Sequence, residues 1–212
     1  MSDKLDDYIL ANSSDESPLL AELYRQTHLK LMNPRMISGH IQGRFLSFMS
    51  RMITPKRILE IGTFTGYGTI CLAEGLAKAG IIHTIDCDEE IIEFAKSYFE
   101  RAGIITKVNL HHGDARSIIP NLELRFQLIY IDGEKDEYPE YYRLAMNALE
   151  IGGFIIADNV LWNNKVVQAP LKNDKSTAGI RQFNEIVRND DRVEEVILPI
   201  RDGLMLIQKV KE

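Results

Sequence analysis

The spacing of apolar residues changes character once along the chain, near residue 57. Before that point, "PLLAELYRQTHLKLM" and "GHIQGRFLSFMSRM" repeat apolar residues every three or four positions. Each therefore predicts a helix with one apolar face. Pro34 in "MNPR" separates them, because proline disfavours helix in the residue before it. After residue 57 short β-rich runs alternate with helical segments. "RILEI" leads to "TICLAEGLAKAG", "IIHTID" to "EEIIEFAKSYFERAG", and "KVNLHHGDA" to "ARSIIPNL". "FQLIYID" then leads to "PEYYRLAMNALE", and "GGFIIAD" closes the series. Strand–helix alternation with compact loops predicts a parallel sheet covered on both faces, wound in both directions by right-handed crossovers.

The tail reads differently. After the polar loop "NNKVVQAPLKNDKST" comes one helix, "AGIRQFNEIVRN", and then two strand candidates, "VEEVILPI" and "LMLIQKV", joined only by "RDG". So short a connection permits only an antiparallel hairpin, since parallel neighbours need a crossover of about a dozen residues. The expected architecture is α/β: a doubly wound seven-stranded sheet with one strand reversed near the end. The chain of 212 residues suits one domain, residues 1–212, with an N-terminal helical layer (1–56) on a sheet core (57–212).

Composition narrows the class. With 45% hydrophobic and 26% charged residues the balance is that of an ordinary globular protein. No apolar run approaches the roughly 20 residues of a membrane span. The opening "MSDKLDDYILANSSDESP" lacks the basic start and apolar stretch of a secretion signal. A cytoplasmic location follows as the expectation, with Cys71 and Cys87 as buried free thiols. The net charge of −6 is unevenly spread. From Leu23 to Leu59 there is no Asp or Glu, while Arg25, Lys30, Arg35, Arg44, Arg51, Lys56 and Arg57 lie there. Such a basic layer either meets an anionic partner or complements the protein's own acidic body.

The candidate chemistry starts at the first strand end, "LEIGTFTGYGT", which spaces Glu60, Gly62, Gly66 and Gly68. The glycines, with Thr63 between them, let backbone approach a ligand closely. The pattern is neither G-x-G-x-x-G nor a P-loop, and no Lys or Arg lies between Glu60 and Leu76 to neutralise a phosphate. Glu60 instead suits a ligand bearing an ammonium or sulfonium. Asp86 ends the second strand, 24 residues beyond Gly62, where an acidic residue accepts hydrogen bonds from ribose hydroxyls. Asp86 could equally cap the next helix, as could Asp88. Asp114 and Ala115, after the third strand, lie where an adenine could be held. The adjacent His111 and His112 point to opposite faces and read as structural.

"LEIGTFTGYG", "IDCD", "GDA", "YIDGEKDEY", "ADNVLW" and "LPIRDG" stand in the order and at the spacing of a known family. From about Met36 to Ile207 the chain resembles the cation-dependent O-methyltransferases of the caffeoyl-CoA and catechol type. These are S-adenosylmethionine-dependent enzymes with a Rossmann-like fold. The resemblance implies strand order 3-2-1-4-5-7-6 with strand 7 antiparallel, S-adenosylmethionine as cofactor, and Met36 as a further cofactor contact. In that order the strands ending at Asp132 and Asp158 are neighbours, about 4.8 Å apart. Asp132, Asp158 and Asn159 match the family's metal ligands, with Asp132 also facing the cofactor. Two carboxylates and an amide oxygen suit Mg²⁺, with Mn²⁺ or Ca²⁺ as alternatives, and without a cation the carboxylates would raise one another's pKa. No Cys/His cluster invites zinc.

Lys135, three residues after Asp132, matches the lysine assigned as general base in the catechol branch; as plain sequence it is also a solvated lysine in a charged loop. Trp162 either walls the acceptor pocket or packs in the core. Asp202 matches a substrate-side aspartate, though turn chemistry explains it equally. Gly68 stands where the family usually has Ser, "WNN" replaces the more usual Trp-Asn-Gly, and "MISGHIQGRFL" follows the family only in part. The implied activity is methyl transfer to a hydroxyl of a catechol-like small molecule or its CoA ester. Methylation of tRNA 5-hydroxyuridine is the alternative, motivated by the acid-free stretch, and a non-catalytic binding module is a third reading. A homodimer is expected by analogy with the caffeoyl-CoA branch.

Overall fold

The computed structural model describes residues 3–169 and 172–212; Pro170 and Leu171 of the polar loop lie outside the described residues. The elements run α1 (Asp3–Ala11), α2 (Pro18–Lys30), α3 (His40–Ile53), β1 (Arg57–Ile61), α4 (Tyr67–Ala73), β2 (Ile81–Asp86) and α5 (Glu89–Arg101). They continue β3 (Val108–His112), α6 (Ala115–Leu122), β4 (Phe126–Ile131), α7 (Tyr138–Ala148), β5 (Leu149–Ala157), α8 (Lys175–Arg188), β6 (Val193–Leu198) and β7 (Leu204–Lys209). The sheet order is β3-β2-β1-β4-β5-β7-β6. β7 is antiparallel to both β5 and β6, and the other neighbours are parallel. Fold class and strand order are thus as the sequence implied.

Each central strand feeds both faces, because side chains alternate with period two. Leu59, Ile61, Ile129 and Ile131 join a core with Tyr138, Tyr142 and Phe183 under α7 and α8. Ile58, Leu128 and Tyr130 join the opposite core with Leu20, Leu46, Tyr67 and Phe99 under α2 to α5. This double burial is why the strands read as continuous apolar runs.

Two local expectations need correction, and one element was not individually anticipated. The acidic start forms a helix, α1, that its polar composition did not signal. Cys87 is exposed rather than buried, because β2 ends one residue earlier and leaves it on the following loop; Cys71 is buried as expected. The helix predicted through residue 80 stops at Ala73. Glu74 is diverted into contacts with α3, taking hydrogen bonds from Arg44 at 2.6 Å, Arg51 at 2.5 Å and Ser47 at 2.7 Å. A Cβ at Gly75 would fall inside the backbone of Ser50 and Arg51. The helical layer and the core therefore meet backbone to backbone at this glycine.

Since neither backbone can give way as a side chain would, Gly75→Ala is expected to lower the unfolding free energy by about 1–3 kcal/mol or more. Urea unfolding followed by circular dichroism measures it.

Candidate active site

In a doubly wound sheet the crevice opens where strand order reverses, here between β1 and β4, at the carboxyl ends of the strands. Backbone hydrogen bonds step across this edge: Gly62 N–H donates to Ile85 O at 3.0 Å, Asp132 N–H to Ile61 O at 2.8 Å and Asp158 N–H to Ile131 O at 2.9 Å. The residues following β1, β4 and β5 are thereby fixed side by side. A cavity of about 570 Å³ opens above them. Gly62, Phe64, Asp86, Cys87, Gly113 and Ala115 line one end, and Asp132, Lys135, Asp158, Asn159, Trp162 and Asp202 the other. Met36, from a 3-10 turn over Pro34–Met36, reaches it from the helical layer.

The glycine loop is built by close approach. Gly62 has φ +98°, and a Cβ there would run into the Asp132 carbonyl. Gly66 has φ +84° and lies against the Phe99 ring. Thr63 is buried with its hydroxyl 2.6 Å from that of Thr84. Asp86 does not cap α5: Asp88 does, accepting from Glu90 N–H and Ile91 N–H. The Asp86 carboxylate instead accepts from Phe64 N–H at 2.7 Å, which ties the β2 end to the glycine loop. Asp114 caps α6 and pairs with Arg116 at 2.6 Å, so Gly113 and Ala115, rather than the Asp114 carboxylate, form that part of the cavity wall. His111 and His112 part company as expected, one 3.1 Å from His83 Nδ1 and the other 3.2 Å from Cys87 O.

Beneath the loop Glu60 is buried, one carboxylate oxygen accepting from Thr69 at 2.5 Å and Thr84 at 2.6 Å. Its Oε1 has no partner. A Cβ at Gly68 would lie 2.8 Å from that oxygen, so the missing side chain leaves Oε1 its room. Burial pushes the Glu60 carboxyl up to about 8, against the two threonine hydrogen bonds.

At the other end, the Tyr130 hydroxyl lies 3.4 Å from an oxygen of Asp132 and 3.4 Å from one of Asp158. Asp132 also accepts from Lys135 Nζ at 2.8 Å. Burial raises Asp132 to about 7, with Lys135 opposing and the Asp158 carboxylate adding to the rise. Burial works against the Lys135 charge, but Asp132, Tyr138 and Asp158 outweigh it and hold the ammonium above the usual lysine range. Lys135 is thus an ion-pair partner here, and its Nζ also donates to the Tyr138 hydroxyl at 2.9 Å. Tyr138 in turn donates to Asp158 O at 2.9 Å.

Asp158 accepts from Gln42 Nε2 at 2.6 Å and from Asn159 N–H at 2.6 Å. Asn159 has φ +58° and gives its Nδ2 to Asp202 at 3.4 Å, leaving its amide oxygen as the acceptor. Asp132, Asp158 and Asn159 therefore converge, and among the described residues no third Asp, Glu, His or Cys joins them to make a metal cluster. Trp162 lines the cavity and also packs on the core under α7 and α8.

The sequence reading missed Gln42, Tyr130, Tyr138 and Arg201. Gln42 had a visible signal: it is a polar residue on the apolar stripe of α3, four positions before Leu46. Tyr130 and Tyr138 looked like core residues because they are core residues as well.

Because Glu60 titrates higher in the fold than its ordinary value near 4.5, the folded chain keeps a proton that the unfolded chain has released, and stability falls as pH rises from about 4.5 to 8. Glu60→Gln removes this loss. The stability difference between variant and wild type is expected to grow across that window by a few kcal/mol, at about 1.4 kcal/mol per pH unit. Thermal unfolding of the cofactor-free protein from pH 5 to 8 measures it; a difference that stays flat with pH is the contrary result.

The family model described as "O-methyltransferase" matches residues 10–210. Caffeoyl-CoA O-methyltransferase 1 of Zea mays is 32% identical over 99% of this chain and 86% of its own length. The caffeoyl-CoA O-methyltransferase of Eucalyptus gunnii is likewise 32% identical, over 99% of this chain and 89% of its own. Among solved structures, the O-methyltransferase TomG of Streptomyces achromogenes, in complex with S-adenosylmethionine, superposes with a TM-score of 0.91 at 28% identity and covers 100% of both chains. The O-methyltransferase of Bacillus cereus, in complex with S-adenosylhomocysteine, gives 0.89 at 29% identity over 97% of each. The chain belongs to the O-methyltransferase family, of the S-adenosylmethionine-dependent class I.

Proposed function

We propose that this enzyme moves the methyl group of S-adenosylmethionine to a hydroxyl of a catechol-like small molecule, free or as its CoA ester, with the help of a divalent cation. The observation that carries the reading is the convergence of Asp132, Asp158 and Asn159 on the same cavity as the glycine loop. Glu60, Gly62, Thr63, Gly66, Gly68, Asp86, Asp114, Ala115 and Met36 are the proposed cofactor residues. The glycines admit the backbone, Asp86 offers ribose an acceptor, and the unpartnered Glu60 Oε1 suits the ammonium end.

The donor set fits a hard divalent cation. It holds oxygen ligands and no sulfur or imidazole, and the rise of Asp132 caused by burial and the nearby Asp158 charge is what a bound cation would offset. Mg²⁺ is the first choice, with Mn²⁺ or Ca²⁺ compatible. When bound, such an ion would lower the acceptor hydroxyl's pKa from the phenolic range near 10 and fix its direction. S-adenosylmethionine, when bound, would supply the methyl group, its carbon–sulfur bond breaking with the electron pair going to the departing thioether as the hydroxyl oxygen attacks the methyl carbon. Lys135 is the proposed general base. With a cation on Asp132 the ammonium would lose its extra proton to solvent, and the neutral Lys135 amine would then accept the hydroxyl proton. Trp162 and Asp202, which line the cavity beside Asp158 and Asn159, are the proposed acceptor-side residues.

Methylation of tRNA 5-hydroxyuridine is the second reading, motivated by the acid-free stretch from Leu23 to Leu59. Arg44 and Arg51 pair with Glu74, and Arg57 reaches Arg125 O, so much of that basic charge serves the protein itself. The small-molecule reading is favoured on that ground. A homodimer is proposed from likeness to the caffeoyl-CoA branch alone. Among the described residues no helix is long and apolar enough to cross a membrane.

Methyl transfer to a panel of catechols and caffeoyl-CoA is expected to stop with EDTA and return with Mg²⁺. Lys135→Ala is expected to lower kcat by about 10²–10⁴-fold. Turnover indifferent to EDTA overturns the cation reading. Salt-sensitive tRNA binding, with no turnover of any catechol, transfers the assignment to tRNA.

A further inference from the structure

The turn joining β6 to β7 sends two side chains in opposite directions. Arg201, held at φ +50°, directs its guanidinium toward the helical layer. There its Nη1 donates to Ile37 O at 2.8 Å, to Ser38 O, and to Gln42 Oε1 at 3.3 Å. Asp202 turns toward the end of β5. It accepts from Asn163 N–H at 2.6 Å and from Asn159 Nδ2 at 3.4 Å, while its carbonyl accepts from Leu161 N–H at 2.9 Å. One turn therefore reaches Asp158 through Gln42 and Asn159 directly.

The carboxamide of Gln42 gives the first contact its direction. Arg201 donates to its oxygen, which leaves its nitrogen to donate to Asp158 at 2.6 Å and to the Tyr130 hydroxyl at 2.8 Å. Reversing the amide would set its NH₂ against the guanidinium and its oxygen against the carboxylate. Gln42 is 1% exposed, so water cannot substitute for either bond. Asn159 occupies the left-handed region, which costs a non-glycine residue energy unless its surroundings hold it there. Its side-chain hydrogen bond to Asp202 supplies that hold.

We propose that Arg201, Gln42 and Asp202 are positioning residues: Arg201 aims Asp158 through Gln42, and Asp202 aims Asn159. The divalent-cation affinity of the site is set from this turn. The proposal rests on the cation reading above. Groups that orient metal ligands from behind typically change affinity by about 10–100-fold when removed.

The test is Mn²⁺ binding to the full-length protein, read by electron paramagnetic resonance, beside S-adenosylhomocysteine binding by calorimetry and unfolding by circular dichroism. Gln42→Met and Asp202→Ala are each expected to weaken Mn²⁺ about 10–100-fold and to leave S-adenosylhomocysteine affinity within about twofold. Asp202→Asn keeps an acceptor oxygen at the turn and is expected to fall between wild type and Asp202→Ala, even if the alanine variant folds poorly. Arg201→Ala combined with Gln42→Met should be no worse for Mn²⁺ than Gln42→Met alone, because one acts through the other. Gln42→Met combined with Asp202→Ala should add. Unchanged Mn²⁺ affinity in folded variants, or full additivity of Arg201→Ala with Gln42→Met, overturns the positioning role while the cation reading stands. A wild-type protein that binds no Mn²⁺ overturns both.

Discussion

Two carboxylates at the ends of adjacent parallel strands repel each other, and the cavity edge is organised around that repulsion. Asp132 and Asp158 cannot move apart, because each backbone N–H is bonded to the carbonyl ending the neighbouring strand. The structure meets the repulsion with donors from three directions. Lys135 comes from the turn before α7, Gln42 from α3, and the Tyr130 hydroxyl from within the sheet. Each is buried or half-buried, so the interactions operate at low effective dielectric, where both the repulsion and its relief are larger than in water.

The helical layer follows from the same requirement. It supplies Gln42 to the carboxylates and Met36 to the cavity, so its seating on the core bears directly on the site. That seating is held at Gly75, where α3 and the loop after α4 touch through their backbones, and at Glu74, which gathers Arg44, Ser47 and Arg51. The Tyr67 hydroxyl also binds Glu16 at 2.9 Å, which fastens the segment between α1 and α2. Part of the basic charge that stands out in the sequence is thus consumed inside the molecule. The β6–β7 turn closes the arrangement from the far side, one arm on the layer through Arg201 and one on the end of β5 through Asp202.

The sheet was legible in the sequence because its strands are buried on both faces and its helices on one. Period-two and three-to-four spacing report those two kinds of burial directly. The reversal of β7 was legible too, since the "RDG" connection is too short for anything but a hairpin. The acidic strand ends were visible because carboxylates are costly to bury at the ends of apolar runs, and the glycine loop because its spacing admits close backbone approach. The end of α4, the exposure of Cys87 and the helix at the acidic start depended on where neighbouring elements lie, and local pattern carries no information on that.

The sequence by itself determined which strands exist, which way they run and which carboxylates stand at their ends, because these follow from hydrophobic period and connection length. Tertiary structure alone decided how those carboxylates are held. Gln42 stands 116 positions from Asp158, and Arg201 reaches back 159 positions to Gln42. A hydrogen bond between such distant residues leaves no local period in the chain. It exists only because the fold brings a helix, a strand end and a hairpin turn within a few ångströms of one another. Asp202 illustrates the same point: its sequence context offered a substrate-side role or a turn, and the fold turned its carboxylate toward Asn159.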